Sequence, residues 1–145
     1  MAAWLRRSTY ITLGALWLTG CAWLVLHYFF QGSSDFGSAP HPWQPTLMTI
    51  HGVLAAVSIF LFGWIAGAHI GEHWRRGLNR TSGLTLVTVF TMLAITGLGS
   101  YYLTGEPLRN TSTWIHEAVG ALAIAPAIAH WLGNGAAKAR KARAA

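Results

Sequence analysis

Residues 114–131 read WIHEAVGALAIAPAIAHW. This apolar run carries a histidine near each end, His116 and His130, with one charge, Glu117, and one helix-bending proline, Pro126, between them. In an α-helix, fourteen residues at about 100° each make four turns less roughly 40°, so both imidazoles point to nearly the same face. At about 1.5 Å per residue they stand about 21 Å apart along the axis. Ionisable side chains inside an apolar span are costly and by default mark a functional site. The rest of the chain has to explain what two stacked imidazoles at opposite ends of one helix are for.

The composition points to a membrane. Of 145 residues, 53% are hydrophobic and only 10% charged, too apolar for a soluble domain of this size. Cys21 is the single cysteine, so no internal disulfide staples the fold and no cysteine-held iron–sulfur cluster is expected. The net charge of +6 is concentrated at Arg6 and Arg7, at Arg75, Arg76 and Arg80, and at Lys138, Arg140, Lys141 and Arg143. A basic total can signal nucleic acid, but these clusters flank apolar runs, so membrane topology accounts for them and no nucleic-acid partner is expected.

Four apolar runs are long enough to span a bilayer as helices of about 20 residues. They cover about 8–30, 46–70, 82–103 and 113–133. Within the first, Leu18-Thr19-Gly20-Cys21 resembles a bacterial lipoprotein cleavage site. After such a site the chain usually turns polar; here it continues Ala22-Trp23-Leu24-Val25-Leu26, which favours a retained helix. Gln31 to Pro45 reads as a loop, with glycines, serines and three prolines. Gly71 to Thr81 reads as a basic turn, and Gly105, Glu106, Pro107 and Asn110 as the next one. Thr111 to Thr113 offer an N-cap for the fourth span. The tail from Ala136 to Ala145 is basic and is expected to fray. No internal repeat is evident, and the chain reads as one membrane domain.

The N-terminus, the second loop and the tail hold nine of the ten Lys and Arg; the other two loops hold only Arg109. The positive-inside rule then predicts an all-α, up-down-up-down bundle of four spans with both termini cytoplasmic. In that topology the second and fourth spans run in the same direction. The second span also carries two histidines, His51 and His69; eighteen residues make five whole turns, so these share a face. His51 and His116 fall at matching depth towards the outer side, and His69 and His130 towards the inner side. Two opposed imidazoles in a bundle can clamp a flat macrocycle with iron at its centre, and two such sites would form an electron path across the membrane.

This layout resembles the small bacterial di-haem b-type membrane cytochromes, and the four-helix core shared by respiratory cytochrome b and the hydrogenase cytochrome b subunits. The resemblance rests on His51 and His69, on His116 and His130, and on the stretches Thr46-Ile50-His51-Gly52, Ile95-Thr96-Gly97-Leu98-Gly99-Ser100-Tyr101-Tyr102 and Trp114-Ile115-His116. It covers nearly the whole chain. It implies two haems b, each held by two histidines: His51 with His116, and His69 with His130. One departure stands out. The family spacing is fourteen residues, whereas His51 and His69 are eighteen apart, about 27 Å along a helix. Helix tilt absorbs part of this; otherwise His27, near the outer end of the first span, replaces His51 as ligand.

Other residues have a bland and a functional reading. Gly52 and Gly120 fit close helix packing, common in membranes, or clear room for a flat ring; Gly120 lies one turn after His116. Arg75 and Arg76, on the inner side, and Arg109, on the outer side, can pair with haem propionates, although topology alone would put most of them there. His73 reads as solvated beside Glu72 and Arg75, and His41 as a loop residue able to touch a partner or a quinone. Glu117 is most simply a solvated acid at a helix start. Trp4, Trp43, Trp74, Trp114 and Trp131 fall near span ends and read as interface anchors.

The function expected is electron transfer across the bacterial cytoplasmic membrane by a multi-pass cytochrome. It would exchange electrons with quinol or quinone, or with a redox partner protein or larger oxidoreductase, and an oligomer is compatible with this. The competing classes are a membrane transporter or sensor that binds metal or haem, and a structural membrane-anchor subunit whose histidines only pack.

Overall fold

The computed structural model of the chain describes residues 3–34, 37–67 and 80–143. Two compact units emerge, residues 1–64 and 65–145. His69, His73, Arg75 and Arg76 lie outside the described residues.

The first unit holds helix α1, Ala3–Phe29, and helix α2, Gln44–Ile65. The first helix starts five residues before the expected position and takes in Arg6 and Arg7, because arginine is a good helix former and nothing upstream breaks the turn. Hydroxyls inside it bond back to the helix: Thr9 Oγ1 donates to Leu5 O at 2.8 Å, and Thr19 Oγ1 lies 2.9 Å from Leu16 O and 3.0 Å from Ala15 O. Such back-bonding satisfies a polar group where water is absent. The two helices run antiparallel: the Trp4 and Trp64 rings meet edge-on at 6.0 Å at one end, and Thr19 meets His51 further along.

The connection between them, expected as plain loop, contains a short antiparallel hairpin. Strand β1, Gly32–Ser34, pairs with β2, Gly37–Ala39, in the register Gly32 to Ala39, Ser33 to Ser38 and Ser34 to Gly37. Gly37 takes φ 111°, a left-handed conformation that only glycine adopts without strain. His41 then organises the start of α2: its Nδ1 accepts from Trp43 N at 3.3 Å and its carbonyl from Gln44 N at 2.9 Å. Beyond Ile65 the backbone widens into π winding at Ala66 and Gly67. The 100° increment fails through a π turn, so the five whole turns expected between His51 and His69 do not run through an unbroken α-helix.

The second unit holds α3, Arg80–Tyr102, α4, Glu106–Leu122, and α5, Ile124–Arg143. Arg80, expected in the preceding turn, opens α3. The fourth span starts at Glu106, not near Thr113. Pro107 occupies the first turn, where its missing N–H costs nothing, and Glu106 complements the helix dipole. Thr111 and Thr113, expected as caps, lie inside the helix and donate back to Pro107 O and Arg109 O at 2.8 and 3.0 Å. The helix is interrupted at Ala123, whose N–H donates to Gly120 O at 3.2 Å. Pro126, three residues on, has no N–H for Leu122 O, so the break falls one turn ahead of the proline. Helix α5 then carries the tail, expected to fray, as far as Arg143.

Four stretches are long and apolar enough to cross a membrane: Ala3–Phe29, Gln44–Ile65, Arg80–Tyr102 and Glu106–Gly133. Their apolar side chains are turned outward. Among the described residues the buried hydrophobics are Leu5 and Leu61, whereas Ile11, Val53, Phe60, Ile95 and Leu122 are exposed. In water each such side chain would forgo roughly 1.5–3 kcal/mol of burial; in hydrocarbon it is at home. The chain is a multi-pass, mostly helical membrane protein.

Candidate functional site

Three of the four histidines expected to bind a cofactor lie among the described residues, and each has a hydroxyl oxygen beside its Nδ1. In the first unit, His51 projects from α2 against α1, with Nδ1 3.2 Å from Thr19 Oγ1. The residue after Thr19 is Gly20, and a Cβ there would stand 3.0 Å from His51 Cε1. The imidazole therefore lies directly on the α1 backbone, a place that glycine alone leaves open.

In the second unit, His116 projects from α4 against α3. Its Nδ1 is 3.2 Å from Thr96 Oγ1 and 3.0 Å from Leu93 O. The residue after Thr96 is Gly97, and a Cβ there would stand 3.0 Å from His116 Cε1. The surroundings are tight. Ser112 Oγ and Ser100 Oγ both donate to Thr96 O, at 2.9 and 3.0 Å, and Thr113 Oγ1 lies 3.1 Å from Ser100 Oγ. A Cβ on Gly99 would collide with Ser112 Oγ. On α5, His130 Nδ1 lies 3.0 Å from Ser82 Oγ of α3.

The polarity of these bonds can be read from the partners. A carbonyl oxygen only accepts, so Nδ1 of His116, beside Leu93 O, carries the proton. Thr96 has one hydroxyl proton, and its shortest bond takes it to Met92 O at 2.7 Å. Towards His116 the threonine oxygen therefore accepts. Thr19 Oγ1 likewise lies nearer Leu16 O and Ala15 O, at 2.9 and 3.0 Å, than His51 Nδ1, at 3.2 Å.

No family model, curated protein or solved structure matches this chain.

The remaining expected site residues fall as follows. His27, the reserve ligand, stacks on Trp23 with ring centroids 4.6 Å apart and planes 10° from parallel. Gly52 has nothing within 4 Å of a would-be Cβ, while Gly120 faces Leu93 Cδ2 at 3.7 Å, ordinary packing contact between α3 and α4. Arg109 is exposed near the start of α4. His69, Arg75 and Arg76 lie outside the described residues. Among the described residues, no three His, Cys, Asp or Glu side chains gather into one group.

Sequence reading did not place Thr19, Gly20, Thr96, Gly97 or Ser82 against the histidines, although Ile95-Thr96-Gly97 lay in a stretch that carried the resemblance. A signal was present. Leu16-Trp17-Leu18-Thr19-Gly20 and Leu93-Ala94-Ile95-Thr96-Gly97 share Leu-x-x-Thr-Gly, and Ile50-His51 matches Ile115-His116. The stretch Leu18 to Cys21 that resembled a lipoprotein cleavage site lies within the continuous helix α1, where its Thr-Gly pair meets His51.

Proposed function

We propose that this chain is a di-haem b-type cytochrome that carries electrons across the bacterial cytoplasmic membrane. His51, His69, His116 and His130 would be the iron ligands, paired as His51 with His116 and His69 with His130, in a four-helix bundle with both termini cytoplasmic. The observation that carries the reading is the anchoring of imidazoles inside apolar spans. At His51, His116 and His130 a threonine or serine hydroxyl lies 3.0 to 3.2 Å from Nδ1. A histidine that ligates metal characteristically donates its other ring N–H to a protein acceptor, which fixes its tautomer and orientation. The donor set therefore fits haem iron. When bound, the haems would supply the one-electron redox chemistry, and the chain would supply ligation, orientation and an apolar surrounding that sets the potential.

Arg75, Arg76 and Arg109 are the cations proposed to meet haem propionates, and Gly52 and Gly120 the positions proposed to leave room for the rings. Quinol or quinone at one face, or a redox partner protein, would be the exchange partner. The deciding experiment is purification from the membrane followed by optical spectroscopy. Sharp reduced α and Soret bands and a pyridine haemochrome of two haems per chain are expected. A colourless protein would instead favour a transporter, sensor or anchor.

A further inference from the structure

We infer that the first and third spans, which supply no iron ligand in the reading above, are the positioning elements for the ligands on the second and fourth. Thr19 and Ser82 would each accept the Nδ1–H of one histidine, and Thr96 would share that of His116 with Leu93 O, which orients Nε2 of the three rings towards iron. The inference rests on the di-haem reading and adds residues to it.

Three features argue for positioning over incidental packing. First, the arrangement recurs. Thr19 and Thr96 both turn their own proton back to the carbonyls one turn up their helix, at Ala15 or Leu16 and at Met92 or Leu93. Both then present the oxygen to an Nδ1 at 3.2 Å. Second, the next residue is glycine both times, and the imidazole Cε1 sits 3.0 Å from where its Cβ would be. Hydroxyl and bare backbone together fix a ring both in rotation and in depth. Third, Thr96 is itself buried and locked, its carbonyl accepting from Ser100 and Ser112. A hydroxyl held so firmly cannot follow a wandering ring; the ring must come to it.

The chemical consequence follows from bond polarity. An acceptor on Nδ1–H gives the imidazole more electron density to donate through Nε2, which favours the ferric state. Removing a hydroxyl acceptor should raise the midpoint potential, by less in Thr96→Val, where Leu93 O stays on His116 Nδ1, than in Thr19→Val. The test is redox titration and low-temperature paramagnetic resonance of the purified holoprotein and of Thr96→Val, Thr19→Val and Ser82→Ala. We expect two haems per chain in each, an upward potential shift and altered g-values for one haem, and recovery in Thr96→Ser. Thr96→Val and Thr19→Val should act on the same haem, and Ser82→Ala on the other.

Full haem content with wild-type potentials and g-values in all three variants overturns the inference while leaving the di-haem reading intact. A colourless wild type overturns both. Should a valine variant fail to accumulate, nitrogen-15 spectra of the histidine-labelled wild-type ferrous protein decide instead. Protons on Nδ1 of the three ligands support the assignment, and iron bound through Nδ1 of any of them overturns it.

Discussion

The hairpin of α1 and α2 and the hairpin of α3 and α4 make the same contact by different routes. In each, a Thr-Gly pair on the first helix receives an imidazole from the second. The hydroxyl and the histidine are 32 residues apart in the first hairpin and 20 in the second. The extra length is the β1–β2 connection and the turn at His41, against only a few residues between Tyr102 and Glu106. The second hairpin is also pinned harder. Gly99 meets Ser112, the Thr96 carbonyl takes two hydroxyl protons, and Leu93 O joins Thr96 on His116 Nδ1. The first has polar groups left over: Ser58 Oγ and Gln44 Nε2 are buried with no hydrogen-bond partner among the described residues. One recurring contact is thus set in a tight frame and in a looser one.

If the two contacts are equivalent in function, removing the imidazole should have the same large effect in either frame. If the chain is the proposed di-haem cytochrome, His51→Ala and His116→Ala should each lose one of two haems, read as pyridine haemochrome per chain, and should lose the same one. His130→Ala should lose the other. Retention of both haems in His51→Ala would break the equivalence and move the ligand to His27.

Next in size is the glycine under each ring. Gly20→Ala and Gly97→Ala place a methyl 3.0 Å from an imidazole carbon, so the ring must shift. On the di-haem proposal, reduced haem content or a displaced Soret band is expected in both, and a larger loss in Gly97→Ala, where the Ser100 and Ser112 hydroxyls tie down the Thr96 carbonyl. Equal losses would show that the tight frame yields as easily as the loose one.

Gly99→Ala tests the frame itself. A Cβ collides with Ser112 Oγ, and overpacking of this kind costs about 1–3 kcal/mol. Thermal unfolding in detergent should report a lower midpoint. The smallest effect expected is the opposite in sign. Ser58 is 2% exposed and its hydroxyl finds no partner, so Ser58→Ala should stabilise the first hairpin by up to about 1 kcal/mol. A destabilised Ser58→Ala would mean that the hydroxyl is used in the working protein.

Much of this architecture was legible along the chain. Four apolar runs gave four helices because an apolar stretch of that length has only one way to satisfy its backbone in hydrocarbon. Boundaries were less legible. Pro107 looked like a turn residue and proved a first-turn residue, since a helix start tolerates the missing N–H. The bend foreseen at Pro126 falls at Ala123, because a proline removes the bond to the residue four back. The repeat was hidden for another reason. Connections of unequal length give it no fixed period, and its matching residues are split between two helices.

By itself, the sequence determined the spans, their apolar outward faces and the histidines placed within them, because length, hydropathy and helical increment are local properties. Only the tertiary structure decided which groups meet Nδ1 of each of three histidines. That choice depends on a hydroxyl and a glycine on a different helix, and nothing in the local pattern around His51, His116 or His130 encodes where Thr19, Thr96 or Ser82 will stand.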